Sequence, residues 1–300
     1  MNAIEINHLQ KSYGKIRALD DVSFAVSRGE LFGLIGPDGA GKTTLFRLLT
    51  TLIAPDGGTA TVEGMDIVRN YRQIRERVGY MPGKFSLYPD LTVEENLRFF
   101  AALFGTRIED AYELIAPIYK QIEPFRNRRA GKLSGGMKQK LALSCALIHR
   151  PSVLFLDEPT TGVDAVSRSE FWDMLATLKA KGITVLVSTP YMDEAQRCDR
   201  IALCNEGRIL AIDTPAGIVS TFHDRLYAVS ASNMFALLQA VRAASGVAEC
   251  YPFGDTHHLV AAADFNADRF VTMLQVAGLE NVRLSKIVPT IEDVFIKLMQ

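Results

Sequence analysis

At 300 residues the chain has room for one large domain or two smaller ones, and 48% hydrophobic with 22% charged residues is the balance of a globular protein. A formal net charge of -1 argues against nucleic acid as the main partner. The longest apolar runs, such as residues 153–156, fall far short of the roughly 18 or more that span a membrane, and Met1-Asn-Ala-Ile-Glu-Ile lacks the basic-then-apolar layout of an export signal, so the expected location is the cytoplasm.

Residues 3–8, 17–26 and 30–35 read as extended segments punctuated by Gly14 and Arg28-Gly29, so an antiparallel sheet is expected first. The third segment runs into Gly36-Pro-Asp38-Gly39-Ala40-Gly41-Lys42-Thr43-Thr44 and then into a helical pattern of Leu45, Phe46, Leu48 and Leu49. A strand, a glycine loop and a helix start in that order make a phosphate cradle. Backbone N–H groups turn inward, the helix N-terminus adds partial positive charge, Lys42 reaches the outer phosphates and the Thr43 hydroxyl suits Mg²⁺. The chain is therefore expected to bind a nucleoside triphosphate.

Segments 59–63 and 77–81 read as further strands, and 92–104 as a helix opened by the capping box Thr92-Val-Glu-Glu95. Another helix starts at Ser134 with an apolar stripe of Met137, Leu141, Cys145 and Ile148, and Pro151 forbids its continuation. Ser134 caps that helix, and Gly135 and Gly136 expose its first N–H groups, which makes a second phosphate site. Two helix starts of one chain do not easily serve one nucleotide. Ser152-Val-Leu-Phe-Leu-Asp157-Glu158 is an apolar run closed by two carboxylates, as in a strand buried on both faces of a parallel sheet. Beside a phosphate loop, Asp157 is expected to hold Mg²⁺ and Glu158 to polarise the attacking water.

A helix over 165–179, a strand over 184–188, a short helix over 192–197 and a hairpin through Asn205-Glu-Gly207 complete a first domain, 1–222. Residues 223–300 then read as strand 226–230, helix 234–244, strands 247–253 and 258–262, helix 267–277 and strand 282–288. That is the β-α-β-β-α-β order of ferredoxin-like domains, followed by a last helix over 291–299. It carries no catalytic constellation. The four cysteines and five histidines show no zinc-ligand spacing, and buried thiols are expected.

Leu133-Ser134-Gly135-Gly136-Met137 resembles the signature of ATP-binding cassette (ABC) ATPases, and the resemblance extends over residues 1 to about 222 with five motifs in the family's order. Tyr13 matches the adenine-stacking aromatic, residues 36–44 Walker A, 153–158 Walker B, and Thr161-Gly-Val-Asp164 the D-loop. The resemblance implies an α/β P-loop fold with an antiparallel β subdomain and a helical subdomain, followed by the small α+β domain. It implies ATP and Mg²⁺ as cofactors and a dimer in which Ser134, Gly135 and Gly136 contact the γ-phosphate of ATP held by the other subunit. The ending Pro289-Thr-Ile-Glu-Asp-Val-Phe is similar to the tail of bacterial ABC-2 type exporter ATPases. That implies ATP hydrolysis coupled to export, separate transmembrane permease subunits, and a peripheral position on the inner face of the cell membrane. Leu87, Tyr88 and Pro89 fall where the family docks the permease.

Residues 79–88 and 188–195 resemble members with two unlike ATPase halves. Gly83 stands where the family has its Q-loop glutamine, Pro190 where it has the switch histidine, and Asp38 where asparagine is commoner. The first two departures imply a half-site that binds ATP but hydrolyses it slowly, and favour a heterodimer with a fully equipped ATPase over a homodimer. The alternative is a soluble nucleotide-gated switch with little turnover, which one cassette and near-neutral charge disfavour. A small-molecule kinase is disfavoured by the signature lying ahead of an Asp-Glu strand.

Overall fold

The computed structural model describes residues 1–84 and 86–299, so Phe85, within the 79–88 stretch, and Gln300 lie outside the described residues. Two compact units divide the chain, Met1–Pro215 and Ala216–Gln300.

In the first unit, β1 (Asn2–Tyr13) turns back into β2 (Ile16–Ser27). The expected strand 3–8 stops where its alternation breaks, but the observed strand continues. A register shift between Ile6 and Leu9, with His8 at φ +51°, lets Ile4, Ile6 and Leu9 all point inward. Next come β3 (Leu31–Ile35), α1 (Lys42–Leu49), β4 (Gly57–Val62) and β5 (Met65–Asp66). The antiparallel sheet runs β2-β1-β4-β5, as the early extended segments predict.

The chain continues through α2 (Tyr71–Arg77), β6 (Val78–Met81), α3 (Val93–Leu103), α4 (Ile108–Tyr119), α5 (Gly135–Ala146), β7 (Val153–Asp157), α6 (Ala165–Ala180), β8 (Thr184–Thr189), β9 (Arg200–Asn205) and β10 (Arg208–Asp213). A second sheet has the order β10-β9-β3-β8-β7-β6, parallel except for β10 at the edge. Every residue of β3, β7 and β8 is buried, which is why their central residues are apolar on both faces instead of alternating with polar ones. Phe46 of α1 is fully buried and meets Phe155 of β7 edge-on at 6.0 Å. Burial of one such ring contributes on the order of 2–3 kcal/mol and seats the helix that carries the phosphate loop.

Arg77 belongs to α2 rather than to the following strand. Helix α4 is not among the expected elements, and it holds Pro117, a residue that normally stops a helix. The proline removes the donor for the Glu113 carbonyl, which accepts from Lys181 Nζ at 3.2 Å instead. Helix α5 buries Leu143, Ser144 and Ala146 beyond its predicted stripe, because α3, α4, α6 and β6 surround it.

In the second unit, α7 (Pro215–Ser220), whose first residue closes the first unit, leads to β11 (Arg225–Ser230), α8 (Met234–Arg242), β12 (Val247–Phe253), β13 (Thr256–Ala261), α9 (Ala267–Val276), β14 (Arg283–Lys286) and α10 (Ile291–Leu298). The antiparallel order β12-β13-β11-β14 is the ferredoxin-like one that the element order predicts. Val229, Leu237, Val241, Leu259 and Leu274 form its core. All four cysteines are free and buried, as expected. No helix among the described residues is long and apolar enough to cross a membrane.

Candidate functional site

The loop between β3 and α1 is shaped by close backbone approaches. A Cβ on Gly36 would lie 2.1 Å from the Cys204 carbonyl oxygen, and one on Gly41 would lie 2.4 Å from that of Ala18. Gly39 and Gly41 have φ of +83° and +97°, which glycine adopts without strain. Gly41 is the N-cap of α1 and supplies no capping side chain, so the first amides of the helix remain available to an anion. Lys42 is 4% exposed, and its Nζ donates to the carbonyls of Gly36 at 2.8 Å and Pro37 at 2.9 Å. The same ammonium lies 3.1 Å from Glu158 Oε1.

A cleft of 410 Å³ opens over this loop, lined by Tyr13, Arg17, Gly39, Gly41, Lys42, Thr43, Thr44 and Glu158 among others. Tyr13 ends β1 and is 45% exposed, so it is not a core side chain. Asp38 is exposed and Ala40 buried. Asp157 and Glu158 close β7 beside the end of β8. The buried Ser188 hydroxyl donates to Asp157 Oδ1 at 2.8 Å and accepts the Glu158 N–H at 3.0 Å. Glu158 has φ +50°, a conformation that strains any residue but glycine and is over-determined here by the paired strands. Thr43 and Asp157 offer hard oxygen donors, and the described residues hold no group of three or more His, Cys, Asp or Glu placed to hold a metal ion. Such a sparse set fits Mg²⁺, which keeps most of its ligands as water and phosphate.

A Cβ on Gly83 would lie 3.1 Å from the Asp157 carbonyl and 3.9 Å from its Oδ2, so this side-chain-free position abuts the carboxylate. Tyr80, three residues earlier, is pushed up to about 12 by burial and by the charge of Asp157. Pro190 directly follows Thr189, whose carbonyl accepts the Gly36 N–H at 3.3 Å. Ser134 caps α5 by accepting the Met137 N–H at 3.4 Å, and Asp164 caps α6 by accepting that of Ser167 at 3.0 Å. Ser134 and Gly135 are exposed, and a Cβ on Gly136 would meet Ser167 Oγ at 2.7 Å. None of Ser134, Gly135 and Gly136 lines the cleft that holds Lys42 and Glu158.

A family profile described as ABC transporter matches residues 19–161. The daunorubicin resistance ATP-binding protein DrrA2 of Streptomyces coeruleorubidus is 37% identical over 306 residues, spanning 99% of this chain and 94% of that protein. The chain belongs to the ATP-binding proteins of the ABC transporter family. The "Probable multidrug ABC transporter ATP-binding protein YbhF" of Escherichia coli K12 is 46% identical over 214 residues, 71% of this chain but 37% of that protein, so the chain matches little more than a third of that relative. A solved ATP-binding subunit of an ABC transporter superposes with a TM-score of 0.67 at 30% identity, over 73% of this chain and 93% of that one. The dimeric cassette MJ0796, in a post-hydrolysis state bound to ADP and Pi, gives 0.64 at 26% identity, over 70% and 98%.

Within this ABC cassette the fold brings together residues to which the sequence assigned no role of their own. Ser188 and Thr189 end β8 and touch Asp157, Glu158 and the glycine loop. Buried Thr160 and Glu194 and half-buried Arg168 form a group beside them. The available signal is weak: the apolar run 185–187 closes on two polar residues much as 153–156 closes on Asp157-Glu158.

Proposed function

We propose that this chain is the ATP-hydrolysing subunit of an ABC-2 type exporter, working at a dimer interface with a second ATPase subunit and driving separate permease subunits at the inner face of the membrane. The observation that carries the reading is the 3.1 Å contact between Lys42 Nζ and Glu158 Oε1 over a glycine cradle, with Ser134 and Gly135 exposed and outside that cleft. One chain thus supplies a cation for the outer phosphates and a carboxylate for the attacking water. Its second phosphate-binding helix start is left for the nucleotide of another subunit.

On this reading the amides of Gly39, Gly41, Lys42, Thr43 and Thr44 take the β- and γ-phosphate oxygens, and Tyr13 stacks on adenine. Lys42 exchanges its contact with Glu158 for the γ-phosphate. Glu158, whose backbone is held by Ser188, then accepts a hydrogen bond from water and polarises it toward phosphorus. Thr43 and Asp157 would hold Mg²⁺, which supplies charge neutralisation at the phosphates when bound. Across the interface, the Ser134 hydroxyl and the Gly135 and Gly136 amides serve the partner's ATP, with Asp164 capping the neighbouring helix.

Gly83 and Pro190 leave the chain's own half-site without two polar side chains. Loss of one preorganised group of this kind slows the chemical step by about a hundredfold to a thousandfold. Slow turnover here and a heterodimer with a complete partner follow. An apolar cleft of 580 Å³ lined by Leu52, Tyr80, Met81, Leu87, Phe100 and Phe104 suits the end of a permease helix.

The test is ATP turnover by the purified chain alone and mixed with the ATPase encoded beside it. Weak activity alone that rises about tenfold or more with the neighbour, and survives Glu158→Gln in this chain, is expected. Full activity alone that Glu158→Gln abolishes would overturn the asymmetric reading. Failure to bind ATP, or binding unaffected by Lys42→Ala, would overturn the reading as a whole.

A further inference from the structure

Among the groups not yet assigned a role, Glu194 is a buried carboxylate that joins three segments of the site. It lies in the short helix Met192–Arg197 that follows β8 and is 4% exposed. Its Oε2 accepts from Thr189 Oγ1 at 2.6 Å and from Thr160 Oγ1 at 3.0 Å. Its Oε1 lies 3.6 Å from Arg168 Nε, and both of these atoms are buried without a hydrogen-bond partner. Arg168 also pairs with Asp193 at 3.0 Å and lies over the Tyr191 ring at 4.6 Å.

Each partner sits at a different part of the machinery. Thr160 is two residues beyond Glu158 and 1% exposed. Thr189 is fully buried, precedes Pro190, and holds the glycine loop through the Gly36 N–H. Arg168 is in the first turn of α6, four residues from its cap Asp164. A buried carboxylate is costly to keep unless it is paired and hydrogen-bonded, and its known benefit is to fix one arrangement of its neighbours.

We propose that Glu194 is a positioning residue for ATP hydrolysis, which locks the loop after Glu158, the end of β8 and the start of α6 in one mutual arrangement. With proline at position 190, no side chain there can tether this segment to a nucleotide. The tether runs through Thr189 and Glu194 instead. The effect on rate rests on the function proposed above, whereas the effect on the loops does not.

The test compares Glu194→Ala and Glu194→Gln with the natural sequence in the full chain, by backbone amide exchange, ATP affinity, and kcat and KM for ATP. In Glu194→Ala, exchange over 158–168 and 188–194 rises about tenfold or more while α1 stays protected, and kcat falls about tenfold with KM within about twofold. A glutamine oxygen still accepts from both threonines but offers Arg168 no charge. Glu194→Gln therefore restores protection over 158–161 and 188–191 and most of kcat, and leaves the start of α6 loosened. Trp172, the chain's single tryptophan, is one turn beyond Arg168 and 3% exposed, so its emission reports that loosening. Unchanged exchange in Glu194→Ala, or exchange raised throughout residues 1–215 with no rescue by glutamine, would overturn the proposal. If the natural chain binds no ATP, the function proposed above fails while the exchange comparison still decides the role of Glu194.

Discussion

Two glycines of the phosphate loop separate backbone conformation from backbone proximity. Gly41 combines φ +97° with a Cβ position 2.4 Å from a carbonyl that cannot yield, whereas Gly39 has φ +83° and open space around it. Gly41→Ala is expected to abolish ATP binding measured by calorimetric titration. Gly39→Ala should keep binding and lose only about 1–2 kcal/mol of stability from left-handed strain. Ser188→Ala removes the donor to Asp157 while the Glu158 N–H keeps the Ser188 carbonyl at 3.1 Å, so unfolding in urea should report a loss of about 1–2 kcal/mol. Lys42, Thr43, Asp157 and Glu158 are legible in the sequence because each lies in a contiguous motif with its own chemistry. Ser188, Thr160 and Glu194 are not, since a serine or threonine at a strand end and a glutamate in a polar turn are ordinary features until their neighbours are known.

Helix α3 depends on one side chain that reaches outside it. Asn96 is fully buried, accepts the Tyr88 N–H at 3.0 Å, and donates to the carbonyls of Tyr88, Leu91 and Thr92 at 3.1, 3.3 and 2.9 Å. It thereby fixes the loop 88–92 against the helix. The Tyr88, Leu91 and Thr92 carbonyls also accept backbone N–H groups, so Asn96→Leu should leave only the Tyr88 N–H unpaired, cost about 1–3 kcal/mol in denaturant unfolding, and raise amide exchange at 88–92. The start of α3 was legible, since Thr92 and Glu95 form the capping box that their spacing predicts. Helix α4 was not, because the carbonyl its proline leaves free, that of Glu113, is taken by a lysine 68 residues further on rather than by anything local.

At the scale of the whole molecule, the unit Ala216–Gln300 carries its own pH-sensitive latch. Burial alone would raise the Asp293 carboxyl, but donation from His258, Thr290 and Tyr251 outweighs it and holds the group below the ordinary value of 3.8. A depressed folded value contributes stability that is present above the unfolded value and lost as pH falls through the folded one. Unfolding of this unit should therefore shift to lower temperature as pH falls below that ordinary value, and Asp293→Asn should flatten the dependence. Because Trp172 lies in the other unit, tryptophan emission follows residues 1–215 and the remaining change in circular dichroism follows this one.

The phosphate loop, the two carboxylates after β7, the capped helix starts and the β-α-β-β-α-β order of the second unit were determined by the sequence alone, because each depends on residues close together in the chain. The strand order was decided only by the tertiary structure. By lying between β3 and β7, β8 carries Ser188 to Asp157 and Thr189 to Gly36, and the turn beyond it brings Glu194 to Thr160 across 34 residues. Local patterns of polarity record which strands are buried on both faces. They hold no information on which buried strand is whose neighbour, so the network that holds the loop after β7 appears only once the sheet is assembled.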